Sequence, residues 1–167
     1  MSKEISTTVG PASFAPGRVN LIGEHTDYSG GLVLPVAVDR GVTVRWRPDS
    51  RAIRLRSAEF PETVELEPDG TPQSTLTGWV RFPAAVAELL REQGRPAAGL
   101  DGTVSSTLPV GAGLSSSAAL TVALALALCR AAEDDSPAPT GRVDEIVAVS
   151  PAAGRPRSPS SSATAAP

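Results

Sequence analysis

The sequence predicts an α+β domain with a mostly antiparallel sheet and helices on one side. Three observations carry this. Residues 36–47 and 51–57 alternate apolar and polar side chains, the period of two that marks half-buried strands. Residues 78–92 set Trp79, Phe82, Val86, Leu89 and Leu90 at helical spacing. Residues 115–132 are apolar nearly all round, as suits a helix buried between layers.

The elements follow in chain order. Residues 1–11 read as a weakly tied start. Ser13 to Ala15 suit a short strand stopped by Pro16 and Gly17, and Val19 to Ile22 form a short apolar piece leading into a dense polar cluster. Tyr28-Ser29-Gly30-Gly31 is a turn signal. Val36 and Val38 share one face, as do Val42, Val44 and Trp46, while Thr43, Arg45 and Arg47 take the other; Asp39-Arg40-Gly41 between them marks a turn or bulge. Pro48-Asp49-Ser50 turns the chain again. Ile53 and Leu55 then point inward, Arg54 and Arg56 outward, and Thr63 to Leu66 add an edge strand. Pro83 falls near the first turn of the 78–92 helix, where proline is tolerated, and Gly94 is a stop. Leu100 to Leu108 form a further strand. Gly111 and Gly113 break regularity, and Ser115 can cap a helix running to about Ala132. Beyond Glu133 come a linker-like DDSPAPTG and the tail PAAGRPRSPSSSATAAP, which holds nothing that builds a core. The expected organisation is a flexible start at 1–11, a folded domain over 12–133 and a disordered tail over 134–167.

Composition sets outer bounds. The length, 167 residues, is that of one domain, and with aromatics at 4% its core must come from Val, Leu and Ala. A net charge of -3 argues against nonspecific binding to nucleic acid or an anionic membrane. Fourteen of the 15 basic residues are Arg, which, with the Ala and Pro load, reads as GC-rich coding. Five of those arginines lie between 45 and 56. They could form a nucleic-acid patch, but charges on the outer side of antiparallel strands are the expected solvated face, and aromatics to stack bases are nearly absent there. The single cysteine, Cys129, excludes an internal disulfide or a multi-cysteine metal site. No signal-like segment opens the chain, and the apolar run Ala118 to Cys129 is too short to span a bilayer. A soluble, cytoplasmic chain that meets neither membrane nor nucleic acid is the expectation.

Two stretches carry chemistry. PGRVNLIGEHTDY at 16–28 packs Arg18, Glu24, His25, Thr26, Asp27 and Tyr28 into thirteen residues, and His25 is the only histidine in the chain. Such a cluster is either a solvated turn or a pocket that grips a polyhydroxylated ligand. PVGAGLSSSAAL at 109–120 is not a Walker A loop: it has no Lys before the serines, and its glycine spacing differs. Its chemistry still suits phosphate. Glycines let the backbone approach an anion, a helix start offers free N–H groups, and three hydroxyls add donors or a magnesium ligand. A plain flexible loop with a helix cap is the competing reading.

Taken with GLVLP at 31–35, these two stretches resemble galactokinase and, more broadly, the superfamily of small-molecule kinases that includes homoserine, mevalonate and phosphomevalonate kinases. The resemblance covers about residues 12–133, most of the amino-terminal domain of a two-domain enzyme. It implies a ribosomal-protein-S5-domain-2-like fold with a left-handed crossover, incomplete at its C-terminal side. It implies ATP-dependent phosphorylation of galactose to galactose 1-phosphate, with galactose and Mg-ATP as partners, Mg2+ as cofactor and a monomeric intact form. By this resemblance Arg18 stabilises charge on the transferring phosphoryl group and keeps a catalytic carboxylate ionised. Glu24, His25, Thr26 and Asp27 form the sugar-binding segment; His25 is not assigned to a metal, because magnesium prefers oxygen ligands. Gly111, Gly113, Leu114, Ser115, Ser116, Ser117 and Ala118 form the ATP-binding loop, with Ser117 on the metal. Trp79 resembles a position near the adenine, although an indole on the apolar face of a helix equally suits the core. Ser29-Gly30-Gly31 replaces a turn that often reads Asn-Asp-Gly or Asn-Gly-Gly in the family.

The pattern departs after Glu133. The family continues into a Gly-rich segment whose Asp is the base toward the sugar hydroxyl; no such segment follows here, and Asp134, Asp135 and Asp144 lie in the wrong context to be assigned. The expectation is a truncated or frameshifted chain, inactive alone, with a tail resembling GC-rich DNA read in another frame. The alternatives are a kinase for another sugar, such as N-acetylgalactosamine or arabinose, or a non-catalytic sugar-sensing or regulatory fragment.

Overall fold

The computed structural model describes residues 10–23, 31–49, 51–68, 76, 78–109 and 111–132. Five strands, β1 (Ala12–Ile22), β2 (Leu34–Asp49), β3 (Ile53–Ser57), β4 (Thr63–Leu66) and β5 (Gly99–Ser106), form one sheet in the order β1-β2-β5-β3-β4. All neighbours are antiparallel except β3 and β5. Two helices complete the fold: α1 (Arg81–Glu92), entered through a 3-10 turn at Gly78–Val80, and α2 (Ser116–Ala131).

Within 42–46 and 51–57 the inward residues are those the alternation selects, whereas Val36, placed on a shared face with Val38, is exposed. Val44, Ile53, Leu55, Val64 and Leu100 are fully buried, each contributing about 1.5–3 kcal/mol of burial free energy. Against this face lies α2, which packs on β1, β2 and β5, while α1 packs beside it. The all-round apolarity of α2 is thereby explained: Ala123, Leu124, Ala127 and Leu128 are buried between the sheet and α1. Its one buried polar side chain, Thr121, donates to the Ser117 carbonyl at 2.8 Å. Helix α1 stops as its sequence predicts. Gly94 takes a φ of +70°, its N–H donates to the Arg91 carbonyl and the Arg95 N–H to that of Leu90, so two carbonyls at the helix end are satisfied.

One expectation about the strands fails. Pro16 and Gly17 do not stop a strand; β1 runs through them to Ile22. As an edge strand, β1 can hold a proline without breaking a ladder on both sides. The irregularity is absorbed as a bulge. Pro16 pairs with Gly41 but Arg18 with Ala37, so Val38, Asp39 and Arg40 face the single Gly17. The Asp39-Arg40-Gly41 irregularity is therefore a bulge within one long β2.

Three of the outward arginines, Arg47, Arg54 and Arg56, are paired on their own face. Asp101 on β5 accepts from Arg47 of β2 at 2.9 Å and from Arg56 of β3 at 3.1 Å. Arg54 reaches Asp49 at 2.8 Å and Glu65 at 3.0 Å. At Asp101 partial burial pushes the carboxyl pKa upward, but the hydrogen bond from Arg47 and the charges of Arg56 and Arg47 outweigh it, and the net direction is down. A carboxyl whose pKa is lower in the folded state stabilises the fold above its unfolded pKa and loses that contribution as pH falls through the folded value. Both arginines are largely exposed, so Asp101→Asn is expected to cost only about 1 kcal/mol near neutral pH. In urea melts of both proteins over a pH series, the gap should close as the acid range is entered. A gap that persists in acid would assign the loss to packing instead.

Candidate active site

Between β5 and α2 the chain makes a loop with three left-handed residues at alternate positions: Gly111 at φ +75°, Gly113 at +69° and Ser115 at +55°. At both glycines a Cβ would meet nothing within 4 Å, so glycine is needed there for backbone conformation and not for lack of room. Left-handed residues in a turn are a feature of backbone concavities suited to anions, although here the Ala112 N–H is donated to the Pro109 carbonyl at 3.4 Å. Ser115 holds its conformation without being glycine, at a cost of about 1–2 kcal/mol. It occupies the N-cap position of α2, and its carbonyl accepts from Ala119, but its side chain makes no capping bond. The capping expected of Ser115 thus fails: a capping side chain needs an extended backbone, and this one is left-handed. Ser116, Ser117 and Ala118 form the first turn of α2, where backbone N–H groups have no partner within the helix.

Arg18 meets this loop directly. Its backbone N–H donates to the Leu114 carbonyl at 3.2 Å. A Cβ on the preceding Gly17 would stand 2.8 Å from the same oxygen and 2.6 Å from Leu108 Cδ2. The two polar stretches, some ninety residues apart in sequence, therefore touch through backbone. Glu24, His25, Thr26 and Asp27 lie outside the described residues, but the flanks of their segment are placed. Ile22 pairs with Leu34, and Gly23 leaves the strand at φ +95°. Both flanks of that segment thus lie at one end of the β1–β2 pair. Four strand steps lead from Arg18 to Ile22, about 13 Å.

Trp79 belongs to the hydrophobic core. It is 5% exposed, its indole N–H donates to the Glu62 carbonyl at 3.2 Å, and Phe60 stacks on it with ring centroids 6.4 Å apart. Among the described residues there is no group of three or more His, Cys, Asp or Glu that could hold a metal. Sequence reasoning missed Gly17, Gly41 and Thr107. The Thr107 N–H donates to the Gly41 carbonyl at 2.9 Å, and the Gly41 N–H to Thr107 Oγ1 at 3.0 Å. Glycines flanking the bulge were the available signal, and only the pairing register shows what they face.

Comparison with known proteins agrees with this geometry. Residues 6–48 match the profile of the galactokinase galactose-binding signature, and residues 81–154 that of the GHMP kinases N terminal domain. A galactokinase from Streptomyces coelicolor is 47% identical over 116 residues, which cover 68% of this chain and 30% of that protein. One from Chloroflexus aggregans is 46% identical over 111 residues, covering 66% of this chain and 28% of that one. The crystal structure of Lactococcus lactis galactokinase complexed with galactose superposes with a TM-score of 0.70 at 29% identity, over 81% of this chain and 35% of that chain. Methanococcus jannaschii mevalonate kinase shares the fold, with a TM-score of 0.67 at 19% identity over 84% of this chain and 45% of that one. Sheet, loop and profile together resemble the amino-terminal domain of the GHMP kinases. Within that class the chain corresponds to the amino-terminal portion of the galactokinases, spanning about 30% of the length of the two curated relatives above. No described helix is long and apolar enough to cross a membrane.

Proposed function

We propose that this chain supplies the phosphate-binding and sugar-binding side of an enzyme that transfers the γ-phosphoryl group of ATP to the anomeric hydroxyl of galactose. The observation that carries this reading is the backbone contact between Arg18 and Leu114, which sets the arginine of the sugar motif against the Gly/Ser loop. In this reading the N–H groups of Gly111 and of Gly113 to Ala118, with the hydroxyls of Ser115 and Ser116, receive the phosphates; the Ala112 N–H is donated to the Pro109 carbonyl. Ser117 Oγ offers a hard oxygen ligand to Mg2+, whose chemistry when bound is to neutralise phosphate charge. The Arg18 guanidinium stabilises charge on the phosphoryl group in flight. Glu24, His25, Thr26 and Asp27 bind sugar hydroxyls, carboxylates accepting and the imidazole adding a partner. The base toward the sugar hydroxyl is not among the residues assigned here, so turnover needs the remainder of a galactokinase.

The test supplies that remainder. In a chimera, residues 12–132 replace the corresponding segment of the Streptomyces coelicolor relative. It is expected to phosphorylate galactose with Mg-ATP, and to prefer galactose to N-acetylgalactosamine and arabinose. A chimera that melts cooperatively yet phosphorylates none of the three would overturn the reading, and preference for another sugar would overturn the choice of galactose.

A further inference from the structure

The phosphate loop is pinned at both ends to one place in the sheet, the bulge where β1 and β2 fall out of register. At its start, Thr107 is tied to Gly41 three ways: its N–H donates to the Gly41 carbonyl at 2.9 Å, its hydroxyl donates to the same carbonyl at 3.2 Å, and that hydroxyl accepts the Gly41 N–H at 3.0 Å. At its end, Leu114 accepts the Arg18 N–H at 3.2 Å. Gly41 pairs with Pro16, and Arg18 lies just past the bulge, so both pins fall within three residues of β1.

We infer that Gly17 and Thr107 are positioning residues: the bulge fixes the distance between the phosphate loop and Arg18, and Gly17 permits the close approach. This rests on the kinase reading above. Gly17 is buried and its φ is not positive, so glycine is not required there for backbone conformation. What requires it is proximity. An added Cβ would press on two neighbours of unequal stiffness. Leu108 Cδ2, at 2.6 Å, is the end of a side chain that can rotate away. The Leu114 oxygen, at 2.8 Å, is backbone and can yield only if the loop moves. Such a shift lengthens or breaks the Arg18–Leu114 hydrogen bond and carries Ser115 to Ser117 away from Arg18. Gly111 and Gly113 differ in kind, since side chains there would enter open space.

The test follows backbone amide signals of the full 167-residue chain during titration with Mg-ATP. Wild type should show shifts confined to residues 111–118 and Arg18. Gly17→Ala should bind at least ten-fold more weakly, and its Arg18 amide should exchange with solvent faster. Adding Leu108→Val to Gly17→Ala relieves the side-chain contact but not the backbone one, so it should recover thermal stability without recovering affinity. Thr107→Val should weaken binding while Thr107→Ser, which keeps the hydroxyl, restores it; this pair decides the matter if Gly17→Ala does not fold. Recovery of affinity by Leu108→Val, or wild-type affinity in both Gly17→Ala and Thr107→Val, would overturn the inference. Should the wild-type chain bind no Mg-ATP, the phosphate reading fails for this chain. The positioning claim is then decided by exchange at the Arg18 amide alone: faster in Gly17→Ala supports it, unchanged overturns it.

Discussion

Leu124→Ala should lower the stability of the domain by about 3 kcal/mol, within the range of roughly 2–5 kcal/mol for truncating a buried leucine. Leu124 is fully buried on α2, the helix that packs on β1, β2 and β5 and against α1. Aromatics make up only 4% of the chain, and alanine is prominent on this helix, so few large side chains fill the space between sheet and α2. Ala123 and Ala127 beside Leu124 are themselves fully buried and have little reach to close a cavity. A domain of this size has about 5–15 kcal/mol in all, so the loss is a large share. Leu120, one turn earlier and only partly buried, should cost about 1 kcal/mol on the same change. Urea denaturation of both variants gives the comparison, with the midpoint falling and the slope unchanged. Equal small losses would mean that α2 does not hold the core, and the placement of the loop at its N-terminus would lose its support.

Local patterning made much of this fold legible. The alternation at Val42, Val44 and Trp46, the inward Ile53 and Leu55, and the helical spacing through Leu90 depend only on residues near in sequence. The Gly94 stop and the buried α2 are likewise written locally. What stayed hidden depends on pairing between distant segments. Pro16 reads as a stop because sequence does not say that β1 lies at a sheet edge, where proline is tolerated. Ser115 reads as a cap because its residue type suits one, whereas its left-handed backbone is visible only in the fold. The candidate site divides the same way. Residue types that suit phosphate and sugar are legible in Arg18, the polar cluster and the three serines. How the two stretches meet is not, because a backbone bond between Arg18 and Leu114 leaves no mark in residue type.

Arg18→Lys, made in the galactokinase chimera, should lower kcat by on the order of 10²-fold with little change in the KM for galactose. The magnitude follows the loss of one group aimed at charge that develops in the transition state. Lysine keeps the positive charge but loses the planar fork that can hold two phosphoryl oxygens at once. The change leaves the backbone bond to Leu114 in place, so the phosphate loop should stay where it is and the effect should isolate the side chain. Asp27→Ala gives the contrast. A carboxylate that grips sugar hydroxyls in ground and transition states alike contributes charge-assisted hydrogen bonds of roughly 1.5–3 kcal/mol each. Its removal should therefore appear chiefly as a large rise in the KM for galactose, with a smaller loss in kcat from misplacement of the sugar. Steady-state kinetics and a thermal melt on both variants separate the roles. If Arg18→Lys kept its kcat while melting early, Arg18 would be a strut between β1 and the loop. The transition-state role would then have to pass to another cation, because a side chain that touches the phosphoryl group in flight cannot be replaced without cost to the rate.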